Sequence, residues 1–213
     1  MKLYIISGLG ADEKVLEKLS FNPNIQPVHI SWLIPEKDEE FHHYIGRMAD
    51  CIDNTEDFYL MGYSFGGIIA QEIHKIKPAK KVVILGSIRS DKEKSRLIKL
   101  GEVTHLTKYL PVRLFNENSA AFYTFFRKLF DPKNPVLLQY FRVRDPYYLK
   151  WSVDKISAWR FDAIDDVIQI MGDRDIVFPL KNSRPDYVIK NATHLFPATK
   201  AKQVSDILKT IFV

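Results

Sequence analysis

Short apolar runs alternate with stretches of helical periodicity through most of the chain. Leu3–Ser7 is apolar and ends at Gly8-Leu9-Gly10, and Val28–Ser31, Phe58–Met61, Lys81–Leu85, Val167–Met171 and Asp186–Ile189 follow at intervals. Runs of this length predict strands, and Lys81–Leu85 reads as a buried one. Asp12 reads as the N-cap of a helix reaching about Leu19. Phe41, Ile45, Met48 and Ile52 recur at helical spacing and predict a helix from Asp38 to about Asp53. Phe65–Ile76, stopped before Pro78, predicts another, and a last helix is expected over 198–211. Such alternation argues for an α/β protein in three layers, with a mostly parallel sheet of about six strands.

The alternation breaks between about Ser90 and Arg160, where no strand pattern recurs. That stretch is dense in large rings, among them Phe115, Phe122, Tyr123, Phe125, Phe126, Phe130, Tyr140 and Phe141, and is punctuated by Pro111, Pro132, Pro135 and Pro146. It predicts helices and irregular chain inserted between two strands of one sheet. The chain has 213 residues, 46% of them apolar and 27% charged, so a single domain with a full core is expected over 1–213.

Charge and cysteine content narrow the function classes. The net charge of +5 raises nucleic-acid binding, but the densest run, Arg89-Ser90-Asp91-Lys92-Glu93-Lys94-Ser95-Arg96, interleaves acids and reads as a solvated helix face. No basic stripe or nucleic-acid module is present, so nucleic acid is not an expected partner. The apolar run after Met1 is too short for a signal peptide, and no run approaches a membrane span. A single cysteine, Cys51, excludes an internal disulfide and a cysteine metal pair. A cytoplasmic protein is the expectation.

Gly62-Tyr63-Ser64-Phe65-Gly66 carries the chemistry. It sits between the strand Phe58–Met61 and the helix that begins at Phe65, the context of a nucleophile elbow. A turn that sharp strains the serine backbone, and glycines on either side remove the Cβ atoms that would block it. The serine hydroxyl is thereby lifted clear of the sheet, and the Phe65 amide is aimed at the reacting centre. The pentapeptide alone recurs by chance in ordinary chains; its flanks make it specific. A serine needs a base to take its proton, and an imidazole backed by a carboxylate is the usual one.

Together with Gly172-Asp173-Arg174-Asp175, Pro179 and Thr193-His194, the elbow resembles the α/β-hydrolase superfamily over essentially the whole chain. The resemblance implies the triad order Ser…Asp…His. Of His29, His42, His43, His74, His105 and His194, only His194 follows both Ser64 and the acids at the strand ends. For the acid, the resemblance maps onto the last position of the Gly172–Asp175 turn, Asp175. Asp173 in the same loop and Asp186 at the next strand compete for the role. The resemblance also implies that the second oxyanion-hole amide, beside Phe65, comes from the loop after the first strand, at Leu9. Relatives often carry histidine where this chain has Ser7, but the donor is a main-chain group. Gly8-x-Gly10 lacks the third glycine and the lysine of a phosphate loop.

In the superfamily, a stretch like 88–160 forms a helical cap over the serine. Its rings suit a small-molecule substrate with an apolar portion, or else simply pack the cap on the body. Arg113, Arg127, Arg142 and Arg144 are candidates to meet a substrate carboxylate. The resemblance implies a serine hydrolase of a small ester or thioester, working through an acyl-enzyme and requiring no metal or organic cofactor. The same residues serve amide or carbon–carbon cleavage, a triad-bearing lyase or acyl transferase, or a non-catalytic binding protein on the same frame.

Overall fold

The predicted strands all form and pair side by side. The computed structural model describes residues 1–104, 109–115, 130 and 137–213. Strands β1 (Lys2–Ile6), β2 (Gln26–Ile30), β3 (Phe58–Tyr63), β4 (Lys81–Leu85), β5 (Val167–Gly172) and β6 (Tyr187–Ile189) make one sheet. Its order is β2-β1-β3-β4-β5-β6, and every pairing is parallel. Every residue of β3 is buried, as the continuous apolar run requires of a central strand covered on both faces. Strand β2 lies at the edge, which tolerates Pro27 and its missing amide.

Helices α1 (Phe41–Asp50), α2 (Phe65–Ile76), α3 (Arg96–Thr104), α4 (Pro146–Ala158), α5 (Phe196–Thr199) and α6 (Ala201–Ile211) surround the sheet. Helix α2 packs across β1, β3 and β4, with α1 against it. After α6, the Phe212 ring lies 5.1 Å from that of Tyr59 on β3. Between β1 and β3 the strand order reverses direction. A reversal of this kind opens a crevice at the carboxyl ends of the two strands, because their connections leave on opposite faces. The register sets Ile6 beside Gly62 there, so the residues after β1 rise next to Ser64.

Helix ends differ from the predicted ones for local reasons. Asp12 does cap, accepting from the Lys14 amide at 3.1 Å, but only one 3-10 turn follows, Glu13–Leu16. Beyond it the chain is drawn to α6: the Ser20 amide donates to Ser205 Oγ at 2.9 Å, and Asn22 bonds the Lys209 and Phe212 carbonyls. Asp38 has φ +57, a left-handed conformation that no helix start uses, so α1 begins three residues later. The last helix breaks at Lys200 into α5 and α6. The 89–96 run is not a solvated helix face. Asp91–Glu93 is a 3-10 turn, and the buried Lys94 ammonium donates to the Ser157 carbonyl at 2.7 Å and to Glu102 at 3.3 Å.

Between β4 and β5 the described residues form α3, α4 and short 3-10 turns and contribute no strand to the sheet. Asp145 caps α4 by accepting from the Tyr148 amide at 2.8 Å, with Pro146 in the first turn, where its missing N–H costs nothing. His105, Phe122, Tyr123, Phe125, Phe126, Arg127, Pro132 and Pro135 lie outside the described residues. Among the described residues no helix is long and apolar enough to cross a membrane. Cys51 is exposed and unpaired with another cysteine.

Candidate active site

Ser64 joins β3 to α2 with φ 54 and ψ −121, a backbone conformation an L-residue rarely adopts. Strain of this sort costs about 1–3 kcal/mol and persists where the surroundings over-determine it. Here the Ser64 amide donates to Leu85 O and its carbonyl accepts from Gly67 N, both at 2.9 Å. The glycines are required by contact as well as by the turn. A Cβ at Gly62 would lie 2.2 Å from Gly66 O, and one at Gly66 would lie 2.3 Å from the carbonyl oxygens of both Ile6 and Ser7. Phe65 opens α2, so its amide is among those with no intrahelical partner, at the positive end of the helix dipole.

His194 lies 130 residues further on, in the turn after β6, and its Nε2 is 2.9 Å from Ser64 Oγ. Its Nδ1 is 2.7 Å from Asp175 Oδ2. The other carboxylate oxygen of Asp175 accepts from the amides of Val177 at 2.8 Å and Phe178 at 3.0 Å. Those two bonds orient the carboxylate, leaving Oδ2 for the imidazole. All three side chains are buried, His194 completely. Neither competing acid reaches the ring. Asp173 accepts from the Ala192 amide at 3.1 Å, which holds its carboxyl below the usual range and braces the loop that carries His194. Asp186 accepts from the Gln169 amide and pairs with Arg89.

The loop after β1 rises against the elbow. A Cβ at Gly8 would lie 3.0 Å from the Tyr63 ring and 3.3 Å from Ser64 Cβ, so Leu9 follows directly beside Ser64. Ser7 donates its hydroxyl to Ala11 O at 2.7 Å and closes the turn. From the far side, residues 141–143 brace the same turn: Val143 N donates to Gly10 O at 3.0 Å, and Ala11 and Phe141 form an isolated antiparallel bridge.

The sequence matches no family model and no curated protein. Solved structures do match, over nearly the full length of both chains. A hydrolase from Oleispira antarctica superposes with a TM-score of 0.70 at 12% identity, covering 97% of this chain and 89% of that one. A thermophilic esterase from Thermogutta terrifontis gives 0.69 at 13% identity, covering 98% and 88%. A thioesterase of the prodiginine pathway in Streptomyces coelicolor gives 0.66 at 14% identity, covering 99% and 89%. The chain has the α/β-hydrolase fold.

Within that α/β-hydrolase frame, several residues bear on the site without a local signal in the sequence. Tyr63 donates its hydroxyl to the His194 carbonyl at 3.0 Å, and burial, with the Asp175 charge adding, pushes its own pKa well up. Phe130 meets the imidazole edge-on with centroids 4.6 Å apart, and Phe178 flanks it at 5.8 Å. Gly86, with φ +50, leaves room where a Cβ would come 3.5 Å from both Asp175 Oδ2 and His194 Cε1. Trp32, two residues past β2, reaches the loop after β1 with its indole N–H.

Two other candidate groups are engaged elsewhere. Arg142 pairs with Asp12 at 2.9 Å, and Arg144 donates from Nε to Phe141 O at 2.6 Å, while Arg113 is exposed. Glu36, Glu39 and His43 converge closely enough for a cation, but the Glu39 carboxylate already accepts from Arg47 and bonds His43 Nδ1 at 2.7 Å. Burial alone would raise the Glu39 pKa; the Glu36 amide, His43 and Arg47 together hold it below the ordinary value.

Proposed function

We propose that the protein is a serine hydrolase cleaving a small ester or thioester through an acyl-enzyme. The observation that carries this reading is the continuous line Asp175–His194–Ser64, with separations of 2.7 Å and 2.9 Å, ending on a serine held at an elbow. Ser64 Oγ attacks the carbonyl carbon while its proton passes to His194 Nε2. The amides of Leu9 and Phe65 stabilise the oxyanion that forms. His194, its charge balanced by Asp175, returns the proton to the leaving alcohol or thiol, and the bond to that group breaks. Water then enters by the same route and releases the acid.

Residues 88–160 serve as a cap on this site. Support comes from Phe130 against the imidazole, from the Phe141 bridge to Ala11, and from α4, whose Tyr148 ring is tilted on Trp32 at 5.5 Å. Rings at that position favour a substrate with an apolar portion. Esterases and a thioesterase of the same fold and size support an ester or thioester bond as the target.

Intact-mass labelling with a fluorophosphonate, comparing wild type with Ser64→Ala, tests the reading. One adduct per wild-type chain and none on the variant is expected. p-Nitrophenyl esters and acyl thioesters of increasing chain length then size the pocket. Labelling that survives Ser64→Ala, or an inert wild type, would remove the nucleophile from the proposal.

A further inference from the structure

The Leu9 N–H and the Gly8 carbonyl belong to one planar peptide unit and point in opposite directions. Whatever fixes the carbonyl therefore aims the amide. The Gly8 oxygen accepts two hydrogen bonds: from the Ala11 amide at 3.0 Å and from the Trp32 indole N–H at 3.1 Å. The same N–H also reaches Ala11 O at 3.1 Å, across the mouth of the turn. On its face, the Trp32 ring stacks on Phe65, with centroids 5.3 Å apart and planes 10° from parallel. Phe65 is fully buried, and Trp32 is only 8% exposed. One side chain thus bonds the backbone unit that carries one proposed oxyanion donor and stacks on the ring of the residue that carries the other.

We infer that Trp32 is a positioning residue for the oxyanion site, tying the Gly8–Leu9 peptide and the first residue of α2 into one rigid unit. The inference rests on the hydrolase reading of Ser64. The contact has two effects. Holding the Gly8 carbonyl prevents the peptide from rotating its N–H away from the reacting oxygen. A hydrogen bond to that carbonyl also polarises the peptide and strengthens its N–H as a donor. Both act where negative charge develops, so they belong to the transition state rather than to substrate binding. Loss of the indole N–H should lower kcat while leaving KM in place.

A core tryptophan that merely fills space would behave differently, and the indole nitrogen separates the two roles. Trp32 is replaced by 3-benzothienylalanine, which keeps the shape and stacking but has sulfur where the N–H was, and separately by Trp32→Phe. Three readouts are taken: kcat and KM on an ester, inhibition by a trifluoromethyl ketone that forms a tetrahedral adduct, and the 15N–1H shift of Leu9. The isostere should melt near wild type, lose roughly 10-fold to 100-fold in kcat, and weaken the ketone by a similar factor, since removing a donor outright costs about 10²–10³. KM should stay within about twofold, and the Leu9 resonance should move. Wild-type kcat and inhibition in the isostere, or an unmoved Leu9 signal, would overturn the inference. So would a raised KM at constant kcat, which assigns Trp32 to packing. A wild type that accepts neither ketone nor fluorophosphonate would instead defeat the hydrolase reading, and the catalytic role of Trp32 with it, even with the Leu9 shift moved.

Discussion

Asp175→Asn changes one atom, and the bonds around that atom decide the outcome. Asp175 Oδ1 accepts from the Val177 and Phe178 amides at 2.8 Å and 3.0 Å, so the asparagine oxygen must take that position. Its amino group then faces His194 Nδ1, where a carboxylate oxygen now sits at 2.7 Å. Nδ1 has to accept, which moves the ring proton to Nε2, 2.9 Å from Ser64 Oγ. In the proposed mechanism the base becomes a donor toward the group it should deprotonate. In a serine protease the same tautomer error lowers kcat by about 10⁴, or about 5 kcal/mol of barrier. The folded state loses less, about 1–3 kcal/mol for a buried charge-assisted bond made neutral. The variant should therefore fold, melt somewhat lower and hydrolyse p-nitrophenyl esters about four decades more slowly. Steady-state kinetics with a urea melt on the same preparation separates the two effects. A loss in kcat/KM of less than about tenfold would refute the orientation argument.

Two glycines in helices should respond oppositely to alanine. Gly66→Ala drives a Cβ to 2.3 Å from two carbonyls at the end of β1 and should cost about 3 kcal/mol or more, whereas Gly46→Ala meets nothing within 4 Å and should gain about 0.5–1 kcal/mol; denaturant melts that rank them the other way would contradict the packing. Lys94 supplies a pH test. Burial holds its ammonium below the ordinary 10.5 despite the Glu102 charge. Between the folded value and 10.5 the unfolded chain binds more protons, so the stability contributed by this group rises with pH across that window. The wild type should gain on Lys94→Met as pH climbs toward 10.5, and a constant difference would mean the lysine is not held down.

Much of this site is legible in the sequence because its chemistry is local. Ser64, Phe65 and the flanking glycines stand in five consecutive residues, and six short runs are enough to anticipate the sheet. The acid is harder, since Asp173 and Asp175 share a turn. Only the direction of each carboxylate separates them, one toward the Ala192 amide and the other toward the imidazole. Helix ends depart from expectation where long-range bonds overrule propensity, as at Ser20 with Ser205 and at Asp38 with Tyr147. Lys94 reads as solvated because its neighbours are charged, and nothing adjacent to it announces Ser157. Trp32 has no signal at all, for its contacts lie across the switch point of the sheet.

The strand order also governs when Ser64 meets His194. Strands β1 to β4 come from the first 85 residues and pair among themselves, while β5 joins only after the long excursion that ends at Val167. Contacts so distant in sequence close late, and during synthesis the amino-terminal half leaves the ribosome first. The elbow can thus be built while His194, 130 residues downstream, is still absent. A chain caught half-made carries a serine with no base, as inert as any other hydroxyl. Under the proposed mechanism, reactivity arrives together with the final strand, and completion of the fold is itself the safety catch on Ser64.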